Sequence, residues 1–139
     1  VPLPVPFSDL LENLSFFEDR TDRIQALISL ADRFEPTSRP KPYPEAHRVP
    51  GCESEAFVWV DLDAAGKLVL EFAVENPQGI SAMTLAVALK ESLEGADPAV
   101  AQQIPDEVIY DLFGKELSMG KSMGLMGMVR LTKYLAARA

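Results

Sequence analysis

The stretch with the clearest chemical potential is Val49-Pro-Gly-Cys-Glu-Ser54, which sets Cys52, the one cysteine of the chain, after a proline-rich run and just ahead of a β-rich segment. A thiol attacks only as its thiolate and only where a partner can reach it, so a loop beside the permissive Gly51 suits a reactive cysteine. His47 and Arg48, four to five residues upstream, are placed to favour the thiolate if the loop folds back. Negative charge at Glu53 and Glu55 works against it.

Other chemistries compete for the same residues. Free cysteine is among the most buried residue types, so Cys52 has a structural reading, in which the protein is an adaptor that binds a partner through its surface. His47 as general base for Cys52 gives a third reading, a thiol hydrolase, although such a pair needs an orienting group that the sequence does not identify. A single cysteine and a single histidine exclude an internal disulfide and a metal site of thiolates and imidazoles. Gly120-Lys121-Ser122 matches the end of a phosphate-loop pattern, but Lys115 stands where its first glycine belongs and no strand precedes it. The carboxylates form no pair flanking a cleft and read as a solvated surface.

Those residues need elements to hold them. Periodicity predicts a first helix from Ser8 to Glu18 with Ser8 as cap, and a second from Asp22 to Glu35 with Ile24, Leu27, Ile28, Ala31 and Phe34 on one face. Five prolines between Pro36 and Pro50 predict a long extended loop, which with Gly51 and Cys52 spans 36–52 and carries the thiol. Residues 54–62 and 67–74 read as a β-hairpin. A helix follows from Pro77 to Gly95, then short helices open at Asp97-Pro98 and Pro105-Asp106, the latter closed by Gly114. A last helix starts around Gly120 to Ser122, with Leu125, Met128, Val129, Leu131 and Leu135 as its buried set. Gly124 and Gly127 in that helix imply close approach of another backbone. Separately, Lys121 would reach the Cys52 loop if the last helix starts beneath it. Met119, Met123, Met126 and Met128 read as adaptable core filling, with an exposed partner surface as the lesser alternative.

The sum is an α+β domain, a small antiparallel β-sheet packed against helices. At 139 residues, with 47% hydrophobic and 24% charged, one globular domain over 1–139 is expected. A formal charge of -8 argues against nucleic acid as partner and for a basic patch on another protein. No apolar stretch approaches the roughly 20 residues of a membrane span. The opening Val1-Pro-Leu-Pro-Val-Pro does not read as a signal peptide, so a cytoplasmic location is expected.

The run Arg48-Val-Pro-Gly-Cys-Glu-Ser54 entering a strand, then a hairpin, a helix and later Leu117-Ser-Met-Gly-Lys-Ser-Met-Gly-Leu125, resembles the SufE family of sulfur acceptor proteins. The resemblance extends over most of the chain and centres on Gly51, Cys52 and Ser54. It implies an accessory role in iron-sulfur cluster assembly and a fold shared with the scaffold proteins of that process. A pyridoxal-phosphate cysteine desulfurase would pass sulfur to Cys52 as a persulfide, be stimulated by doing so, and Cys52 would deliver the sulfur to an Fe-S scaffold. Gly51 and Ser54 would shape the loop, with His47, Arg48 and Lys121 in support. No metal or cofactor is implied on this chain, since pyridoxal phosphate belongs to the desulfurase and sulfur exchange needs only a thiolate. A monomer or weak homodimer is expected. Lys121 stands where the family pattern has arginine, keeping the charge without the bidentate fork. Phe57 stands where it has tryptophan, with Trp59 two residues on, and Glu75-Asn76-Pro77 replaces Asp-Ser-Asp.

Overall fold

The computed structural model describes residues 3–139. Helices α1 (Val5–Ser15) and α2 (Arg20–Ala31) lead into an extended segment with one 3-10 turn (Glu45–His47), followed by strands β1 (Ala56–Leu62) and β2 (Leu68–Val74). Helix α3 (Ile80–Leu93), a 3-10 stretch (Pro98–Gln103), α4 (Val108–Phe113) and the long α5 (Met119–Arg138) complete the chain.

Each boundary has a local cause. Helix α1 starts three residues before the expected Ser8 because Pro6 presets the first turn and the Pro4 carbonyl accepts from the Phe7 and Ser8 N–H groups. In α2 the cap is Asp19, whose carboxylate accepts from the Thr21 N–H, and Asp22 falls inside the positive first turn. That helix ends at Ala31, not Glu35. Pro77 precedes α3 within a turn closed by Gly79 N–H donating to the Asn76 carbonyl. The helix expected from Asp97-Pro98 is a 3-10 stretch, and the next begins at Val108 instead of Pro105. Ser118 caps α5, its hydroxyl accepting from the Lys121 N–H.

The strands pair antiparallel with Val58 opposite Phe72 and Val60 opposite Leu70. On that face Val58, Val60, Leu70 and Phe72 join the main core, against which α3 and α5 pack. Alternation puts Phe57 and Trp59 on the opposite face. They are only 4% and 3% exposed, because the proline-rich segment lies over them. Tyr43 meets both rings, with centroids 5.0 Å from Phe57 and 5.1 Å from Trp59. Arg39 sits over Trp59 and forms ion pairs with Asp61 and Glu71, while the Thr37 N–H donates to the Phe72 carbonyl. The segment is thus a second cover for the sheet, and β1 is an almost continuous apolar run because both its faces are buried.

Candidate functional site

Cys52 sits in a loop between that cover and β1. The loop's base is closed by an antiparallel bridge between Arg48 and Phe57 and by the Val49 N–H donating to the Ala56 carbonyl at 2.8 Å. Val49, 1% exposed, anchors it in the core. The tip turns through Gly51 at φ +70 and Glu55 at φ +51, with the Glu55 N–H donating to the Cys52 carbonyl. The end of β2 grips the far side, the Asn76 and Glu75 N–H groups donating to the carbonyls of Ser54 and Glu55. Cys52 itself is half-buried.

Beneath the tip runs α5. A Cβ added at Gly127 would lie 2.8 Å from the Pro50 carbonyl oxygen, and one at Gly124 would lie 3.1 Å from Cys52 Cα and 3.2 Å from the Gly51 oxygen. The two backbones therefore touch where the sequence places glycine. Gly79 does the same for Ser54, since a Cβ there would lie 2.8 Å from the Ser54 hydroxyl oxygen.

The thiol borders a cleft of about 100 Å³. Cys52, Glu53 and Ser54 form one wall, Ser81 and Ala82 from the first turn of α3 a second, and Ser118, Gly120, Lys121, Gly124 and Leu125 from the start of α5 a third. The N-terminal ends of both helices, each carrying partial positive charge, meet at the cleft beside Cys52, whose charged lining is Lys121 and Glu53.

Of the residues singled out in the sequence, Gly51, Cys52, Ser54 and Lys121 are gathered around this cleft or its loop. His47 and Arg48 are not among its lining residues. His47 stacks on Trp59 at 5.2 Å, and its Nδ1 lies 2.8 Å from the Val58 carbonyl, an acceptor that assigns the proton to Nδ1. Arg48 lies over the Phe57 ring at 4.7 Å and pairs with Glu45 at 2.9 Å. Both hold the outer cover to the sheet. The residues that sequence reasoning missed are Ser81, Gly79 and Ser118. Ser118 was readable as a cap three residues before Lys121; Ser81 and Gly79 carry no local signal, since only tertiary packing brings them to the loop.

Among the described residues no group of three or more His, Cys, Asp or Glu side chains could hold a metal ion, and no helix is long and apolar enough to cross a membrane. The fold and cleft thus define an α+β domain organised around one thiol. The SufE model, described as an Fe-S metabolism associated domain, matches residues 8–136, and the chain belongs to that family. That membership makes it an accessory sulfur-transfer protein of Fe-S metabolism. A solution structure of a hypothetical protein from Thermus thermophilus has the same fold, with a TM-score of 0.74 and 24% identity over 99% of this chain and 98% of the other. Comparison with curated proteins found no match.

Proposed function

We propose that Cys52 is the sulfur acceptor, taking a persulfide sulfur from a pyridoxal-phosphate cysteine desulfurase, stimulating that enzyme by clearing it, and passing the sulfur to an Fe-S scaffold. The observation that carries this reading is the seat of Cys52 on a glycine-floored loop, half-buried at the meeting point of two helix N-termini. The Cys52 thiolate attacks the terminal sulfur of the desulfurase persulfide. A new S–S bond forms, the old one breaks, and the desulfurase cysteine leaves as thiolate. The proton that Cys52 loses goes to solvent. The acceptor needs no cofactor of its own, and the small cleft beside Lys121 gives the resulting anion a partly shielded resting place.

Intact mass after mixing with the cognate desulfurase and free cysteine tests this. A gain of one sulfur atom that reducing agent removes, mapped to Cys52 and missing in Cys52→Ser, is expected. The variant should keep the wild-type melting temperature, since the exchange replaces sulfur with oxygen at a half-buried position. No gain with a demonstrably active desulfurase would favour the adaptor reading, in which Cys52 is only packing.

A further inference from the structure

The Cys52 cleft shares Ser81 and Lys121 with a second, larger opening, a groove of about 690 Å³ between α2, the start of α3 and the connection from α4 to α5. Its apolar lining includes Ile24, Ile28, Ile80 and Phe113, with Ile24 44% and Ile80 42% exposed. Its charged lining is Arg20, Arg23, Lys115 and Lys121 against one carboxylate, Glu116. In a chain of net charge -8 this is a local reversal of sign. Glu116 pairs with Arg20 at 2.8 Å. Arg23 donates through Nη1 and Nη2 to the carbonyls of Leu14, Asp111 and Leu112, neutral acceptors that hold it without neutralising it. Among the described residues neither Lys115 nor Lys121 has an ion-pair partner.

We infer that this groove docks an acidic, amphipathic segment of the cysteine desulfurase, its apolar side on Ile24, Ile28 and Ile80 and its carboxylates on Lys115 and Lys121. The inference rests on the reading of Cys52 as sulfur acceptor. Charge complementarity selects the occupant: a basic segment would meet four cations, and a neutral one would crowd two lysines without pairing them. An oligonucleotide would match the cations but leave the apolar lining of Ile24, Ile28 and Ile80 without a partner. The shared walls at Ser81 and Lys121 give the arrangement its purpose, because a segment held in the groove ends beside the thiol. The acidity of the chain as a whole suggested a basic partner surface; the side chains lining this groove call for the opposite charge.

The test titrates the holo desulfurase with the full chain and with the double variant Lys115→Glu, Ile24→Glu, both positions lying outside the Cys52 cleft. The variant's Kd should weaken about tenfold, while sulfur uptake by Cys52 from inorganic polysulfide stays at the wild-type rate and so reports an intact fold. Lys115→Arg alone should bind as wild type. Amide exchange of the wild-type chain should slow over residues 20–28 and 113–117 on adding desulfurase. A Kd for the double variant within threefold of wild type overturns the proposal, as does protection confined to other surfaces. Failure of Cys52 as acceptor is distinguishable, because the mass assay would then show no sulfur while binding through the groove persisted.

Discussion

At the scale of single residues, the sulfur site depends as much on missing side chains as on present ones. Alanine at Gly127 gains roughly 1 kcal/mol in helix propensity over glycine. Its Cβ would meet the Pro50 carbonyl oxygen at 2.8 Å, a contact with backbone that no rotamer change relieves. Overpacking of this kind costs about 1–3 kcal/mol. Gly127→Ala should therefore be less stable than Gly124→Ala, whose nearest backbone contact is 3.1 Å, although their propensity gains are equal. Gly127→Ala should also lift the loop and speed alkylation of Cys52. Urea unfolding and iodoacetamide kinetics on the two variants decide it, and equal stabilities would mean that the loop does not rest on α5. The two glycines were legible as a backbone contact from their helix-breaking cost alone. The partner backbone was not, since nothing in the pattern at 124–127 points to residues 49–52.

At the scale of elements, β2 is one of the two edges of the sheet, and beyond the Thr37 bond to Phe72 it is closed by the end of α3 and the residues that follow it. The Leu70 N–H donates to Glu94 Oε1 at 2.8 Å, and the Lys90 ammonium donates to the Leu70 carbonyl at 2.6 Å. The Gly95 N–H and Ala96 carbonyl satisfy Leu68 in the same way. Side chains one helical turn apart thus stand in for a third strand. Removing an acceptor from a partly buried backbone N–H costs about 1–3 kcal/mol, so Glu94→Ala should lower stability by that order, whereas Glu94→Gln keeps the oxygen and most of the stability. Indistinguishable urea midpoints for the two would show that water replaces the carboxylate. The hairpin and the helix were both readable from periodicity, because each is set by its own residues. The role of Lys90 and Glu94 was not, because an exposed i, i+4 pair looks the same whether or not a strand edge lies beneath it. The same limit applies to 36–50, where proline density correctly denied regular structure but said nothing of Tyr43 and His47 packing on Phe57 and Trp59.

At the scale of the whole molecule, two carboxylates fasten the outer parts to the core and make the assembly sensitive to acid. Burial pushes the Glu71 carboxyl up, but bonds from Thr37 and Arg39 more than offset it and leave it below the ordinary range; through them it ties the proline-rich cover to β2. Burial likewise opposes ionisation of Asp106, and pairing with Lys133 and Arg130 outweighs it, again lowering the carboxyl while joining the approach to α4 to the middle of α5. A carboxyl lowered by folding binds its proton more weakly in the native state than in the unfolded chain. Its contribution is therefore complete above the unfolded value of about 4 and disappears as pH falls through the lower native value. The urea midpoint should hold from neutrality to about pH 5 and decline below it. Glu71→Gln with Asp106→Asn should be less stable than wild type at about pH 7 but lose less on acidification, so the two curves converge at low pH. Parallel curves would show that these groups do not couple folding to protonation. The sulfur site should respond before the global transition, because its loop is continuous with the cover that Glu71 secures. Cys52 alkylation in wild type, measured at fixed thiolate fraction, should then accelerate at a higher pH than the one at which the core opens, and in Glu71→Gln it should already be fast at neutrality.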